Sequence, residues 1–205
     1  MPTMPHCSFL KADLHRMLDP TTAWKRPAML RGNPEIQRQL GRTFDLDDEI
    51  RGSAKFSSCG NYRPYLSRSW HPGPAILWLC MNPSSATHVL DDATSRKLTR
   101  HSRRLGFGKL FLLNVMDYRA TDPAQLPEGE ERSARNLDEI RRCARHATCV
   151  AVAYGGLRQN PRWIEYADDA LQACHGAAMC SVSTNRDGSP RHPRRFPANF
   201  ELQCQ

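Results

Sequence analysis

The sequence predicts a three-layer α/β/α fold with a mainly parallel central sheet. Three apolar runs of strand length, at 75–81, 110–115 and 149–154, each give way abruptly to polar residues or glycine. The runs are continuous rather than alternating, as in strands that are buried on both faces. Helical patterns separate them, and strands that alternate with helices are typical of parallel α/β sheets.

The remaining elements follow from turn residues and helix caps. Two further stretches complete the predicted sheet, a pair of short strands within 56–70 around Gly60-Asn61 and one strand at 179–182. Polar caps and amphipathic spacing predict helices at 92–105, 133–146 and 161–174. The first of these ends at Gly106. The last begins with Asn160 as its cap and Pro161 in its first turn.

The length of 205 residues fits one domain of ordinary size. Residues 1–54 are predicted to be an N-terminal extension of short helices and irregular segments, followed by the α/β domain at 55–205. No apolar run approaches the length of a membrane span, and we find no signal peptide pattern. We therefore expect a cytoplasmic monomer with no membrane partner.

The chain is basic, with 29 Lys and Arg against 21 Asp and Glu and a formal net charge of +8. Arginine dominates this charge, and its planar guanidinium is the better bidentate ligand for phosphate. Nucleic acid is therefore a natural partner. The alternative is a solvated basic surface that only aids solubility.

Cysteine usage bears on redox state and on metals. The eight cysteines are Cys7, Cys59, Cys80, Cys143, Cys149, Cys174, Cys180 and Cys204. None of them forms a Cys-x-x-Cys pair, and without a secretory pattern we expect reduced thiols. A zinc or iron–sulfur site assembled from distant cysteines stays open as an alternative, but we expect no metal and no cofactor.

Polar residues that follow the apolar runs are the candidate site residues. Carboxyl ends of strands line the ligand crevice in open α/β sheets. Pro83 holds Asn82 extended, so that its amide can orient a water or a substrate oxygen. Asn114 offers a donor and an acceptor, which suits the reading of a base edge. For each, the structural alternative is an asparagine that only turns the chain away from its strand.

Other residues near these strand ends extend the candidate set. Asp117, Tyr118 and Arg119 follow Asn114 closely, and Tyr154-Gly155-Gly156 ends the third run. Glycines there allow a ligand to approach the backbone, although an ordinary turn explains the same pattern.

Two basic segments are candidates for binding nucleic acid. Arg191, Arg194 and Arg195 surround His192 in a proline-rich stretch, where they can contact phosphates. The helix at 92–105 adds outward-facing arginines, among them Arg100 and Arg103. Asp91 and Asp92 precede this helix, and capping of its N-terminus is the interpretation we favour over a catalytic carboxylate or a metal ligand.

The chain closely resembles a bacterial and phage family catalogued as a domain of unknown function, from Tyr65 to about Pro197. The matching residues are Asn82-Pro83-Ser84, Asp91-Asp92-Ala93-Thr94, Gly106-Phe107-Gly108, Asn114, Arg119-Ala120-Thr121-Asp122-Pro123, Gly155 and Pro190-Arg191-His192-Pro193. This resemblance implies no activity.

More distantly, the order of motifs resembles the uracil-DNA glycosylase superfamily. Asn82 matches the asparagine that orients the attacking water in the mismatch-specific branch. Leu112-Leu113-Asn114 matches the strand whose asparagine reads the pyrimidine edge, and His192-Pro193 matches the late motif whose histidine bonds the base carbonyl. The resemblance implies a uracil-DNA-glycosylase-like sheet.

The same resemblance implies roles for further residues and a reaction. Asn82 and His192 are catalytic, Asn114 and Ser84 bind the base, and Tyr118 or Tyr154 stacks on it. The protein is then a DNA glycosylase that flips a pyrimidine-type base out of duplex DNA and excises it, leaving an abasic site. Because the family includes phage and mobile-element proteins, a glucosylated hydroxymethylcytosine of phage DNA is a candidate target in antiviral defence.

Two other classes of function compete with a glycosylase. One is an N-glycosidase that acts on free nucleosides or nucleotides and does not bind DNA. The other is a nucleic-acid-binding module without catalysis, whose binding would survive removal of Asn82.

Overall fold

The computed structural model describes residues 42–157 and 160–204, which form a seven-stranded mixed sheet with helices on both faces and a separate two-stranded antiparallel sheet of β1 and β5. The strands in these ranges are β1 (Phe44–Asp45), β2 (Arg51–Lys55), β3 (Tyr65–Ser69), β4 (Ala75–Cys80), β5 (Leu90–Asp91), β6 (Lys109–Asn114), β7 (Cys149–Val152), β8 (Met179–Ser181) and β9 (Gln203–Cys204). The α-helices are α1 (Ala93–Arg104), α2 (Asn136–Ala144) and α3 (Pro161–Ala173). Short 3-10 turns lie at Pro123–Gln125 and Pro193–Arg195.

The α/β class is confirmed, but the sheet is mixed. Its order is β2-β3-β6-β4-β7-β8-β9, in which β6, β4, β7 and β8 run parallel. The flanking pairs β2–β3, β3–β6 and β8–β9 are antiparallel. The prediction of a mainly parallel sheet is therefore wrong at both edges. The link between β2 and β3 is too short for the crossover that a parallel pair requires.

The two faces of the sheet carry separate cores, because side chains alternate along each strand. Leu77 and Leu79 of β4 pack with Ile140 on the face covered by α2 and α3. Ile76 and Trp78 lie on the opposite face, which α1 and the C-terminal segment cover. Burial on both sides explains why β4 is apolar throughout. We refer to these as the α2–α3 face and the α1 face.

The α1 helix starts at a reciprocal cap. The Asp92 carboxylate accepts from Ser95 N at 2.8 Å, and Ser95 Oγ accepts from Asp92 N at 2.9 Å. This capping box satisfies donors that a helix N-terminus leaves free. Asp92 is thus the N-cap. At the other end Leu105 is the C-cap and Gly106 takes a positive φ of 84°.

The boundaries of two other predicted elements differ. Of the pair of strands predicted within 56–70, only the second is present, as β3, because residues 56–60 form a turn. The strand that pairs with β3 is β2, which lies before the predicted range at Arg51–Lys55. The expected helix at 133–146 is confined to α2, because Asp117 binds the backbone and hydroxyl of Ser133 and holds the chain in a turn there. The rest of the predicted N-terminal extension, residues 1–41, lies outside the described residues.

A disulfide joins Cys180 of β8 to Cys204 of β9. The two cysteines are register partners on antiparallel strands, and this pairing brings their Cα atoms to 4.0 Å. The prediction of reduced thiols is wrong for this pair, because β9 returns along β8 and places the two side chains opposite each other. Cys59 is also disulfide-bonded.

The described helices include none that combines the length and apolarity needed to cross a membrane.

His101 on α1 gives the fold a pH dependence that can be measured. Its ring is 5% exposed and lies 4.5 Å from the ring of Phe200. Burial, followed by the nearby Arg104, Lys97 and Arg100, lowers the pKa of His101 from 6.5 to about 4. The unfolded chain therefore binds a proton between these values that the folded chain does not. Stability must fall as the pH drops through that window.

We expect His101→Phe to weaken this acid sensitivity. Urea unfolding at pH 7.5 and pH 5 should show a smaller loss of stability in the variant than in the wild type, although the lowered pKa values of His88 and His192 leave part of the loss in place. His146→Phe, at an exposed position, is the matched control and should retain the full loss. An equal loss in His101→Phe would contradict the assignment.

Candidate functional site

The carboxyl ends of the parallel strands meet at one edge of the sheet. Cys80 at the end of β4 is in register with Asn114 at the end of β6, and Leu79 is in register with Val152 of β7. Asn82 follows β4 directly. His192 reaches the same edge because Gly155, three residues past β7, lies against it.

The contact between Gly155 and His192 is close. A Cβ at residue 155 would lie 3.2 Å from His192 Cβ, and Gly155 has a positive φ of 78°. Both features favour glycine at this position. The structure thus brings the segments that carry Asn82, Asn114 and His192 to one edge of the sheet.

Asn82 has a fixed amide with a free carbonyl oxygen. Its Nδ2 donates to Ala120 O at 2.8 Å and more weakly to Pro83 O at 3.3 Å. Its Oδ1 has no hydrogen-bond partner among the residues the structure describes. The amide is therefore oriented by the loop after β6, and its half-buried acceptor is available to a water or a ligand.

Asn114 carries a buried donor without a partner. The residue is 3% exposed, and its Nδ2 has no hydrogen bond within the described ranges. Its side chain lies on the α1 face, since it shares that face with its register partner Cys80. An unpaired buried amide costs on the order of 1–3 kcal/mol, so this donor is the kind of group that a ligand would satisfy.

His192 presents a proton on Nε2. Its Nδ1 accepts from Arg194 N at 3.2 Å, so in the neutral ring the hydrogen is on the other nitrogen. Burial, followed by the charge of Arg194, lowers the pKa of His192 below its usual 6.5. The ring is therefore a neutral hydrogen-bond donor at neutral pH.

The two tyrosines proposed to stack on a base lie in different places. Tyr154 packs with the α2–α3 face, opposite to Asn114, and lines a cleft of about 390 Å³ with Asp168 and Ser189. Tyr118 is half-buried and makes an edge-on contact with Tyr62 at 5.2 Å. Tyr118 is nearer to Asn114 in the chain, in the loop after β6.

Other predicted site residues hold the loops of this edge in place. Ser84 Oγ lies 3.1 Å from Thr121 Oγ1, which joins the loops after β4 and β6. Arg119 is buried and donates to Ser84 O and Gly60 O. The carboxylate of Asp117 is turned away toward Ser133 at 2.6 Å.

Asp91 and Asp92, which precede α1, also have structural roles. Asp91 forms a buried ion pair with Arg68 at 2.9 Å, and Asp92 caps the helix. Neither carboxylate is free, and the described residues contain no group of three or more His, Cys, Asp or Glu side chains that could hold a metal ion.

The arginines predicted to bind nucleic acid differ in how far they are exposed to solvent. Arg194 and Arg195 are exposed beside His192, and Arg191 is half-buried next to them. Arg100 on α1 is also exposed. Arg103 is held by Glu49 and more distantly by Asp47 at 4.0 Å, which leaves it less available for phosphate.

Sequence analysis missed two buried polar residues at this edge. Arg63 is 2% exposed and its Nε has no partner, and Ser85 is 2% exposed with an unpartnered Oγ, both within the described ranges. Ser85 stands within the Asn-Pro-Ser-Ser motif, which pointed to its loop. Arg63 lies between two aromatic neighbours and a proline, and that composition is the only local sign of burial.

Fold and site together define an α/β protein with a polar site at the carboxyl edge of its parallel strands. The chain belongs to the family described as "Protein of unknown function (DUF1643)", whose model matches residues 63–194. Membership in such a family is thus confirmed, and the matched range contains Arg63, Asn82, Asn114 and His192. Neither a curated protein nor a solved structure gives a significant match.

Proposed function

We propose that the protein is a DNA glycosylase that hydrolyses the N-glycosidic bond of a flipped pyrimidine-type base. The observation that carries this proposal is the unpartnered, buried Nδ2 of Asn114 at the edge where Asn82 keeps a free carbonyl oxygen. A donor for a base and an acceptor for a water are the two groups that this hydrolysis requires. The distant resemblance to uracil-DNA glycosylases supports the same proposal.

The chemistry divides between the two sides of the bond. As the bond breaks, the sugar becomes cationic and the base accumulates negative charge. Asn82 Oδ1 accepts a hydrogen bond from a water and directs its oxygen at the sugar. Asn114 Nδ2 and His192 Nε2 donate to the departing base, and donors placed before the reaction stabilise such charge strongly.

A neutral His192 suits this role. It donates one hydrogen bond from Nε2 while Arg194 N holds the other side of the ring at 3.2 Å. The lowered pKa keeps the imidazole neutral at the working pH, so its orientation is constant. Arg191, Arg194 and Arg195 then contact the phosphates on either side of the flipped nucleotide.

The test is excision from a panel of DNA duplexes. The panel contains uracil, mismatches, hydroxymethylcytosine and glucosylated hydroxymethylcytosine, since the sequence resemblance favours a modified pyrimidine of phage DNA as target. Abasic sites are revealed by alkaline strand cleavage. Abasic product from at least one duplex is expected. Hydrolysis of free nucleosides alone would point to a small-molecule N-glycosidase, and DNA binding without product to a non-catalytic module.

Binding to duplex DNA should depend on the arginines beside His192. Phosphate contacts release counterions, so affinity should fall steeply as salt rises. The double substitution Arg194→Glu with Arg195→Glu should weaken binding to all sequences and flatten the salt dependence. A fluorescence anisotropy titration at several salt concentrations measures both effects.

The matched control reverses two arginines on the other side of the sheet. Arg141→Glu with Arg145→Glu on α2 and its C-cap changes the net charge equally, and both residues are exposed. This variant should bind nearly as well as the wild type. Equal weakening in both double variants would mean that only net charge matters and that the loop around His192 is not the DNA-binding surface.

A further inference from the structure

Arg63 is a buried cation beside the candidate site, where it bonds to the loops after β4 and β6. Its backbone N donates to Asp117 O at 2.8 Å, just beyond the end of β6. Its Nη1 donates to Ala86 O at 2.8 Å, in the loop after β4. Through its backbone and its side chain, Arg63 therefore joins the loops that follow β6 and β4, two neighbouring parallel strands.

The charge of Arg63 is not balanced by a contact carboxylate. The described residues place no Asp or Glu within 4.0 Å of its guanidinium, and its Nε has no hydrogen bond. Burial lowers the pKa of Arg63 to about 10, which still leaves it protonated, and Asp92 is the one carboxylate that opposes this shift. Arg119 and Arg68 lower the pKa further.

The nearby buried carboxylates are all engaged elsewhere. Asp91 is paired with Arg68, Asp92 caps α1, and the carboxylate of Asp117 is bonded to Ser133, so none of them contacts Arg63. A buried charge without a partner costs several kcal/mol. Such an arrangement is stable when a ligand supplies the missing negative charge.

Two further unpartnered groups lie beside Arg63. Ser85, whose Oγ has no partner, precedes the Ala86 carbonyl that Arg63 binds. Asn114, with its free Nδ2, is the register neighbour of Cys80, and the pKa of that buried thiol responds to both Asp92 and Arg63. Three residues that are at least 97% buried thus carry unused hydrogen-bonding groups on the segments that meet at this edge of the sheet.

We infer that Arg63, Asn114 and Ser85 form an anion-binding floor of the site, which takes the negative charge of the departing base. This rests on the proposed function for the identity of the anion. The exposed arginines around His192 would bind phosphates. Arg63 is buried, so we assign it to the edge of a planar base that has entered the site. Arg63 would then favour bases that leave as stable anions.

Stability measurements separate this role from a structural one. Arg63→Met removes a buried cation that contacts no carboxylate, and this gain offsets the lost hydrogen bond to Ala86 O, so its melting temperature should stay close to that of the wild type. The matched control is Arg68→Met, which strands the buried carboxylate of Asp91 and should melt clearly lower. A drop in Arg63→Met as large as that in Arg68→Met would identify Arg63 as a structural tie and overturn the inference.

Direct binding of small anions tests the ligand without DNA. Barbiturate is a planar pyrimidine trione that is ionised at neutral pH, uracil is its neutral counterpart, and inorganic phosphate represents the other source of negative charge. Calorimetric titration of the wild type should show barbiturate binding about tenfold or more tighter than uracil, as expected for charge-assisted hydrogen bonds. Arg63→Met should lose this preference.

A second variant supplies the negative charge from the chain itself. Asn114→Asp adds a negative charge to the proposed anion site with almost no change in side-chain volume. It should abolish the preference for barbiturate. If it binds barbiturate as the wild type does, or if Arg63→Met keeps the preference, the inference fails. Tighter binding of phosphate than of barbiturate would overturn the assignment to the base.

These outcomes are independent of excision. A protein that excises no base but shows the Arg63-dependent preference would refute the glycosylase proposal and leave the anion site standing. If the protein excises a base but Arg63→Met binds anions as the wild type does, the glycosylase proposal stands and the anion site is refuted.

Discussion

Asn82→Ala is expected to slow base excision by on the order of a hundredfold or more while the protein stays folded and binds DNA. The substitution removes the free Oδ1 that would direct the water. It also removes the bond from Nδ2 to Ala120 O at 2.8 Å, a half-buried contact. Loss of that bond should cost about 1 kcal/mol of stability. The effect on rate should therefore greatly exceed the effect on folding.

Three measurements on the same variant separate chemistry from binding and folding. Single-turnover excision on the best duplex gives the rate, an anisotropy isotherm gives the affinity, and a melting curve gives the stability. Val89→Ala is the control on the same segment, since its side chain is 45% exposed and has no part in the proposed chemistry. We expect this control to excise within a few fold of the wild type.

The outcome decides the role of Asn82. Excision at the wild-type rate would mean that Asn82 only shapes the turn before Pro83, and the glycosylase proposal would lose its main chemical support. Loss of excision together with a collapsed melting temperature would place the residue among the structural ones. The rate loss counts as chemical only if the isotherm and the melting curve stay close to those of the wild type.

The elements that could be predicted from the sequence are those with a local cause. The continuous apolar run of β4 is buried on both faces, and the Asp92 cap and Gly106 bracket α1. The alternation of side chains along a strand also predicts which face of the sheet each residue lies on. Asn114 lies two residues after Leu112 on the α1 face, whereas Tyr154 lies two residues after Val152 on the α2–α3 face.

The features that could not be predicted depend on partners far away in the chain. β2 reads Arg-Gly-Ser-Ala-Lys, with no apolar alternation, and forms because it pairs with β3. The pairing of Cys180 with Cys204 depends on a two-residue strand that has no signal of its own. Arg63 looks like a surface residue, and its burial becomes visible only when the loops after β4 and β6 close over it.

Arg68→Met is expected to destabilise the protein by about 3–5 kcal/mol. Arg68 is fully buried, and its Nη2 lies 2.9 Å from Asp91 Oδ1. The same nitrogen donates to Thr87 O and Leu90 O. The variant leaves the buried carboxylate of Asp91 without its cation, with Ser95 Oγ still donating to it, and removes a donor from the carbonyls of Thr87 and Leu90. Methionine fills most of the volume but offers none of the hydrogen bonds.

The control is an exposed ion pair at the other end of α1. Arg103→Met breaks the contacts with Glu49 and Asp47, both of which face solvent, and should cost at most about 1 kcal/mol. Urea unfolding of both variants gives the comparison. Adding Asp91→Asn to Arg68→Met should recover part of the loss, because the stranded charge is then removed.

The loss of stability in Arg68→Met should also loosen the segment that leads to the candidate site, although Arg68 does not contact the site. Thr87 and Leu90 belong to the segment between Asn82 and α1, and Arg68 is the group that holds their carbonyls together. Hydrogen exchange of the amides in this segment should therefore accelerate more than exchange in α3. A cost no larger than that of Arg103→Met, with unchanged exchange, would mean that the desolvation of Arg68 and Asp91 cancels their attraction and that other contacts hold the loop behind Asn82.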